Sequence, residues 1–385
     1  MKSKVPMDDY SVDVVRHLDE LSTGASAAAY EKFVEELKGL GRLWYSPDWL
    51  LAAEPSFTRS GETPFFVMVR HGGEIIGVAP LLLHSLGAAP LHYRRLRFWG
   101  TGGRYLEYPT WKLLARSGDE GKVEDLVVRA LEGTFSRHFD EISLARADPK
   151  DTFIERISAI FRVIQREDLG EQVHLFGNHR HIDDELPARY VTRFRKAEEK
   201  LRSSSDTFEM TTLSAVDERV IDEIRDLHIR RQHELIARGI SRFSCFEDPI
   251  ESKALLSMIE IAQQRGALRV YLQRVNGELT NFWICFASGG HAVAEIMASK
   301  KVPRHADATS CMTRYILKEE IEKHGTEWLD LGFGSNRQKT MFTNTTIPLQ
   351  LIVLFNNRSL RSRLRYLALS GLRVTQRLLA RGRAS

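Results

Sequence analysis

Three residues in the C-terminal half of the chain have side chains suited to acid–base or anion chemistry. Glu295 is the only acidic residue in the run 292–297, which is rich in strand-forming residues. A carboxylate on a central strand, shielded from water, is a candidate general base; the alternative is a solvent-facing carboxylate paired with a lysine or arginine. His228 and Arg231 lie three residues apart, hence on one face of a long predicted helix. His228 is a candidate proton relay and Arg231 a candidate ligand for a carboxylate or phosphate, and a solvated helix face is the alternative.

Two further residues are candidates for contact with a substrate. Lys339 follows a glycine-punctuated segment, 332–338, and is placed to bind charge on an acceptor or a donor; a surface lysine is the alternative. Tyr271 lies on the first strand of a predicted meander, where it either contacts substrate or packs in the core. The three cysteines are widely spaced and include no Cys-x-x-Cys pair, which predicts reduced thiols and no metal site. No histidine is placed by spacing to activate one of them as a nucleophile.

The elements around these residues predict a compact α+β unit. Two strand-like runs flank Asn276-Gly277, the strongest short-range signal for a hairpin, and a third run follows from 291 to 298. A polar stretch, 306–310, precedes a helical period that ends near Gly325, and a short strand, 328–331, returns. The first backbone N–H groups of such a helix have no partner within it, so this end is a candidate anion site, although most such ends bind only water.

The first half of the chain repeats this order of elements. A predicted hairpin at His71-Gly72-Gly73 precedes the one at Asn276-Gly277 by about 204 positions, and each is followed by more strand, a helix and a short strand. We therefore predict two similar α+β lobes, spanning 1–185 and 206–356. A charged helix, 186–205, connects them, and a basic tail, 357–385, follows the second lobe.

Composition narrows the class of protein. The chain has 385 residues, 43% of them hydrophobic and 28% charged, which is typical of globular domains with a large core. No apolar run is long enough to span a membrane, and the N-terminus lacks the apolar core of a signal peptide. These features predict a cytoplasmic protein. The net charge of +4 is unevenly distributed, because residues 357–385 contain eight arginines and no lysine or acidic residue.

Several stretches, in their order along the chain, resemble the GNAT acyltransferase superfamily. They are the basic helix Arg193–Leu201, the segment Leu227–Gln232, the Asn-Gly meander, and Leu329–Gly334 followed by Lys339 and Phe342. The resemblance covers roughly residues 40–355. It is closest to the double-lobed branch that contains the CelD-type acetyltransferases of cellulose biosynthesis and the FemABX-type aminoacyl transferases. The fold it implies has two tandem GNAT-like lobes, each a mixed, mainly antiparallel sheet flanked by helices, plus a basic C-terminal helix.

The resemblance implies transfer of an acyl group from acyl-CoA to an amine. The pantetheine arm would lie along the strand 292–299, with Glu295 as the base, and the pyrophosphate would lie on the next helix. The residues implied for CoA binding are Arg304, His305, Ala308, Thr309 and Ser310. This segment has Asp307 and no glycine where GNAT enzymes have a glycine-rich turn, and Lys300, Lys301, Arg304 and His305 would offset that acidic charge.

The acceptor implied is an amine of a sugar, peptide or lipid precursor of the cell envelope or of an exopolysaccharide. Two other interpretations remain: a FemABX-type transferase that takes aminoacyl-tRNA as donor, and a non-catalytic double-GNAT scaffold. In the tail, leucines and valine recur near helical spacing between arginines, which favours a basic amphipathic helix. Such a helix predicts peripheral binding to the inner, anionic face of the membrane, with tRNA, a protein partner or partial disorder as alternatives.

Overall fold

The computed structural model describes residues 3–7, 9–24, 26–58, 61–87, 92–101, 113–176, 181, 183, 188–205, 207–240, 243–300, 308–333, 339, 345–364 and 366–367. The strands are β1 Ser3–Met7, β2 Tyr10–Val15, β3 Glu62–His71, β4 Glu74–Leu86, β5 Tyr93–Phe98, β6 Leu114–Ala115, β7 Glu141–Ala147, β8 Arg162–Phe176, β9 Phe208–Leu213, β10 Leu268–Val275, β11 Glu278–Ser288, β12 His291–Ser299, β13 Trp328–Phe333 and β14 Thr345–Phe355. The α-helices are α1 Ala27–Glu36, α2 Gly41–Trp44, α3 Pro47–Phe57, α4 Glu120–Glu132, α5 Thr152–Ile160, α6 Ala188–Ser204, α7 Glu218–Ile236, α8 Pro249–Gln264 and α9 Ala308–Lys318. Short 3-10 turns lie at Leu18–Leu21 and Cys245–Glu247, and a π-helical turn, Glu319–Lys323, extends α9.

The strands of both lobes form one continuous sheet. Its order is β1-β2-β3-β4-β5-β7-β14-β8-β13-β12-β11-β10-β9, with β6 paired to β4. The antiparallel pair β8–β13 joins the two lobes. Strand β14, which the sequence places at the end of the second lobe, instead lies between β7 and β8 of the first lobe. The chain therefore returns to its first lobe after completing the second.

The two lobes have the same core topology, as the sequence repeat predicts. In each lobe a hairpin turns through two residues with positive φ, Gly72-Gly73 in the first and Asn276-Gly277 in the second. Two residue pairs beyond each turn, the strand register shifts, between Val69 and Arg70 and between Gln273 and Arg274. A parallel pair of strands follows in both, β5–β7 and β12–β13, each joined over three residue pairs.

The lobes also share one hydrophobic core. Buried residues of α1, α3 and β4 in the first lobe form a single cluster with those of α7, α8, β10 and β11 in the second. Trp49 of α3 packs edge-on against Phe286 of β11, with ring centroids 5.0 Å apart. The Ser56 hydroxyl donates to the buried carboxylate of Glu251 over 2.6 Å, so a polar link crosses the same contact. We expect the two lobes to unfold together rather than as independent domains.

Two predictions of local structure differ from the fold. The polar composition of residues 1–24 predicts irregular structure, but this segment contains β1, β2 and a 3-10 turn. The sequence of residues 152–166 predicts one helix, but the helix ends at Ile160 and β8 begins at Arg162. Both differences involve strands whose partners are distant in sequence: β2 pairs with β3, and β8 with β14 and β13. Local periodicity carries little information about such pairing.

Candidate active site in the second lobe

The neighbouring parallel strands β12 and β13 separate part-way along their length. They pair at His291–Trp328, Ala292–Leu329 and Val293–Asp330, and β12 then continues for six residues that are not paired with β13. On its other side β13 pairs with β8, with a register shift between Asp330 and Phe333. We call the gap between β12 and β13 beyond the pair Val293–Asp330 the slot; it lies at the position that the sequence predicts for a thioester.

Glu295 lies at the start of this slot. Ala294 pairs with Cys285 of β11 and Ile296 with Ile284, so Glu295 is the residue inserted at a β-bulge. A bulge locally twists a strand and redirects a side chain, and bulges are frequent beside active sites. The side chain of Glu295 is half-buried, which differs from the bulk-solvent position expected of a surface carboxylate.

The cysteines near Glu295 are poor nucleophiles. All three cysteines are buried and none forms a disulfide. Burial, reinforced by the carboxylates of Glu251 and Glu295, raises the pKa of Cys245 to about 12. Burial, with smaller contributions from Glu320 and Glu295, also raises the pKa of Cys285 well above its usual range. Both thiols therefore stay protonated at neutral pH, which disfavours covalent catalysis through them.

In the described part of the first lobe, the counterpart of β12 is not bulged as β12 is. This strand, β5, pairs with β4 in unbroken register. Counted from the last parallel pair, Arg97–Ser143, the position equivalent to Glu295 is Trp99. Trp99 is fully buried against Phe57 and Phe66. An apolar ring thus fills the first lobe where the second lobe presents a carboxylate.

Helix α9, the next helix after β12 among the described residues, begins with three small residues, Ala308, Thr309 and Ser310. Small side chains let a ligand approach the backbone N–H groups of a first helical turn, which favour anions. The predicted partners Arg304 and His305 lie outside the described residues.

Helix α6 packs along α9 and adds positive charge. Leu201 of α6 forms a small apolar cluster with Ala308 and Cys311. A groove of about 430 Å³ on the exposed side of α6 is lined by basic residues at helical spacing, together with Thr192 and Ala197: Arg189, Arg193, Lys196 and Lys200.

Residues 188–340 match the family model of the acetyltransferase (GNAT) domain. The second lobe is therefore similar to a GNAT acetyltransferase domain. Among solved structures, a crystal structure of FemX is similar over 87% of this chain and 97% of that chain, with a TM-score of 0.57 and 11% identity. The structure of L-PGS from Bacillus licheniformis is similar over 86% and 92%, with a TM-score of 0.50 and 13% identity. The fold is thus the double-lobed GNAT acyltransferase type. No curated protein sequence matches the chain.

His228, predicted as a proton relay, lies in the core of the GNAT lobe. It is 7% exposed, its Nδ1 lies 2.7 Å from Ser244 Oγ, and its Nε2 lies 3.2 Å from Gln232 Nε2. Its ring also packs against Phe246 and Phe282. Burial, partly opposed by Glu247, lowers the pKa of His228 to about 4. These contacts correct the prediction: His228 is a neutral structural residue that holds α7 on the sheet.

The low pKa of His228 predicts a loss of stability in acid. Because the folded pKa lies below the unfolded value, the folded state favours the neutral ring. The resulting stabilisation is present above about pH 6.5 and decreases by up to about 3 kcal/mol as pH falls towards 4. We expect the unfolding free energy in urea to fall less between pH 7.5 and 4.5 for His228→Gln than for wild type. Equal pH dependence in the two proteins would contradict this assignment.

Tyr271, predicted to contact substrate, is fully buried in the GNAT lobe. Its hydroxyl donates to Glu320 Oε1 over 2.5 Å, and Glu320 is itself inaccessible to solvent. The other oxygen of Glu320 accepts from Arg269 and Thr326. Tyr271 therefore belongs to a buried ionic network, which corrects its predicted role. Sequence reasoning missed Glu320 because it lies within an ordinary charged helical period.

Arg231 and Lys339, the two predicted ligands for charged groups of a substrate, are both partly exposed. Arg231 donates to Glu234 over 2.8 Å within α7, so it has a local ion-pair partner. The Lys339 ammonium donates to the carbonyl of Gly332 over 3.3 Å, next to the end of β13. The backbone N–H of Gly332 in turn donates to Asp330 Oδ1 over 2.6 Å. The structure thus brings Lys339 close to Asp330 at the end of β13, whereas the recorded partner of Arg231 is Glu234 on the same helix.

Proposed function

We propose that this protein transfers an acyl group from acyl-CoA to an amine of a sugar, peptide or lipid precursor of the cell envelope or of an exopolysaccharide. The observation that carries the proposal is the slot between β12 and β13 with Glu295 at its bulge. This combination is confined to the second lobe among the described residues, since β5 of the first lobe runs without a bulge and ends at Phe98, followed by the buried Trp99.

In the proposed reaction, Glu295 accepts a proton from the acceptor ammonium. The free amine attacks the thioester carbonyl carbon, forming the C–N bond, and cleavage of the C–S bond expels a thiolate. The nitrogen gives its second proton to this thiolate, so the products are a neutral amide and a free thiol. A thiolate is a good leaving group, because the pKa of a thiol is only about 8.5, so the main requirement is the base. Lys339, beside the end of β13, is proposed to bind negative charge on donor or acceptor.

The start of α9 and the groove on α6 are proposed to hold the donor phosphates. The helix N-terminus supplies backbone N–H groups and the groove supplies ammonium and guanidinium groups, a donor set that suits phosphate. We expect the double variant Lys196→Ala, Lys200→Ala to raise the KM for acyl-CoA on the order of tenfold. Lys253→Ala, an exposed lysine on α8, is the matched control and is expected to leave KM unchanged. Thiol release from acyl-CoA in the presence of amine acceptors is the measurement.

A second donor, aminoacyl-tRNA, is favoured by the length of the basic groove. Its residues extend from Arg189 to Lys200, twelve positions of α6 or roughly 16 Å of helix, which exceeds the length of one pyrophosphate. Thermal stabilisation by CoA with RNase-resistant activity supports the first donor, whereas RNase-sensitive activity supports the second. If neither acyl-CoA nor aminoacyl-tRNA stabilises the protein or supports turnover, both proposals are contradicted.

We further propose that the protein works at the inner face of an anionic membrane through residues 357–385. None of the described helices is long and apolar enough to cross a membrane. In the described part of the tail, Leu360, Leu364 and Leu367 are 71%, 59% and 65% exposed. Their spacing puts them on one helix face, and the eight arginines of the tail provide on the order of 1 kcal/mol each near anionic lipid.

Sedimentation with lipid vesicles tests the membrane proposal. We expect wild-type protein to bind vesicles that contain anionic lipid and not neutral ones. The triple change of Leu360, Leu364 and Leu367 to serine is expected to weaken that binding at least about tenfold, because burial of each leucine contributes roughly 1.5–3 kcal/mol. Leu51→Ser, at an exposed leucine of α3, is the control. Equal binding to neutral vesicles, or no effect of the triple variant, would overturn the proposal.

A further inference from the structure

The β10–β11 hairpin of the second lobe carries a pair of amide side chains that are inaccessible to solvent. Gln273 and Asn281 face each other in the pair next to the register shift, on the side away from the turn. Asn281 Nδ2 donates to Gln273 Oε1, and Thr280 Oγ1 donates to the same oxygen over 3.5 Å. The nitrogen of the Gln273 amide is directed to α9, because it donates to the backbone carbonyl of Ala308 over 3.2 Å. The first residue of α9 is thus hydrogen-bonded to the sheet.

The corresponding pair in the first lobe is apolar. Val69 and Gly77 occupy the same place in the β3–β4 hairpin, next to its register shift and at the same distances from the turn. The helix between the two parallel strands is α4 in this lobe and α9 in the second. Val123 of α4 packs so closely on Gly77 that no Cβ fits there, and it shares an apolar cluster with Val69. An apolar contact is therefore sufficient to hold this helix on the hairpin.

The amide pair is a costly way to make that contact. Buried amide groups lower stability unless their polar atoms are hydrogen-bonded. Asn281 Oδ1 is buried and has no hydrogen-bond partner in the part of the chain that the structure describes. Stability alone would favour apolar side chains here, as in the first lobe, and exceptions to such local rules concentrate at functional sites. The pair therefore indicates a function at the start of α9.

The hydrogen bond from Gln273 fixes one peptide group in the first turn of α9. The carbonyl of Ala308 and the N–H of Thr309 belong to one planar trans peptide, in which they point in opposite directions. The N–H groups of a first turn have no partner within the helix. A donor on the sheet that holds the Ala308 carbonyl therefore sets the direction of the Thr309 N–H, and it also polarises this N–H as a donor.

We infer that Gln273, held in place by Asn281, is a positioning residue for the phosphates of the donor. It acts through the Ala308–Thr309 peptide, which it orients so that the N–H is ready for a phosphate oxygen before the ligand arrives. Preorganised donors bind more tightly because less freedom is lost on binding. The inference rests on the donor site proposed at the start of α9, but it does not require that an acyl group be transferred.

Calorimetric titration of the full-length protein with CoA and with pantetheine tests the inference. Pantetheine has the same thiol arm and no phosphate. The double variant Gln273→Met, Asn281→Leu removes both amides together, and Thr280 keeps its hydrogen bond to the backbone carbonyl of residue 273 over 3.0 Å. We expect the Kd for CoA to rise about tenfold and the Kd for pantetheine to stay at the wild-type value. The unfolding free energy in urea should be close to that of wild type, since apolar groups of similar shape replace both partners.

Three outcomes would overturn the inference. They are an unchanged Kd for CoA in the double variant, an equal loss for CoA and pantetheine, and a wild-type protein that binds CoA no more tightly than pantetheine. If the double variant does not fold, Gln273→Asn replaces it, because this shorter amide stays polar but cannot reach the Ala308 carbonyl. The same selective loss of CoA affinity is then expected.

The matched control is Gln232→Met, which removes a buried glutamine amide of α7 that lies beside His228. It is expected to leave both Kd values unchanged, and a selective loss of CoA affinity there would also contradict the inference. Turnover by wild type combined with normal CoA binding by the double variant would reject Gln273 and leave the transfer function intact. The selective loss of CoA affinity without turnover of any amine would reject the transfer function and leave the role of Gln273 intact.

Discussion

Glu295→Gln is expected to lower kcat by about 10²–10⁴-fold, the usual contribution of a positioned general base. The amide keeps the size of the side chain and its place at the bulge between Ala294 and Ile296, but it cannot accept a proton from the attacking ammonium. The loss should fall on kcat rather than on KM, because proton removal belongs to the chemical step. Steady-state kinetics with the preferred donor and acceptor provide the measurement.

The control for this prediction is Glu260→Gln, an exposed glutamate on α8. Its kcat should equal that of wild type. A second control is the unfolding free energy of Glu295→Gln itself, which should stay within about 1 kcal/mol of wild type because the residue is only half-buried. Full activity of Glu295→Gln would remove Glu295 from the mechanism and leave the role of base unassigned.

Glu320→Gln is expected to lower the unfolding free energy by about 3–5 kcal/mol. The Glu320 carboxylate is fully buried and is the ion-pair partner of Arg269, whose side chain is only 20% exposed. A neutral amide leaves the guanidinium in a desolvated position without a counter-charge, which is the costly outcome when a buried pair is broken. Urea unfolding at pH 7 measures the change.

Two variants separate the contributions within the Glu320 network. Tyr271→Phe removes one hydrogen bond to Glu320 and is expected to destabilise by about 1 kcal/mol. Glu322→Gln removes a partly exposed charge 4.0 Å from Lys318 and should change stability by less than about 1 kcal/mol. If Glu320→Gln lowers the unfolding free energy no more than Glu322→Gln does, the buried network does not contribute the predicted stabilisation. A raised KM in a fully stable Tyr271→Phe would restore its predicted role in substrate binding.

The two lobes approach each other closely at Gly39, in the loop before α2. It has φ of +58°, and a Cβ there would lie 2.8 Å from Nδ1 of His291 at the start of β12. The β11–β12 turn is equally close, because a Cβ on Gly289 would lie 3.0 Å from the backbone N of Gly39. The close packing of the two lobes here therefore depends on a contact between loops that are some 250 residues apart in sequence, and no local pattern reveals it.

The features that the sequence determined are those fixed within a few residues. Asn276-Gly277 forms the hairpin turn because both residues accept positive φ, with observed values of 53° and 76°. Ser46-Pro47 starts α3 because proline fits the first helical position. The repeat of these local signals across the two halves was enough to predict a double-lobed α+β fold. The composition of the run 292–297 identified Glu295 as the single carboxylate of a central strand.

The tertiary structure decided the features that depend on contacts between residues distant in sequence. The insertion of β14 between β7 and β8, the bulge that redirects Glu295 and the burial of His228 and Tyr271 all arise from contacts between segments far apart in the chain. Strand pairing is set by the neighbours that a segment meets, and the protonation and accessibility of a side chain are set by what surrounds it. A sequence specifies the residue types available for catalysis; the folded sheet determines which of them reach the slot.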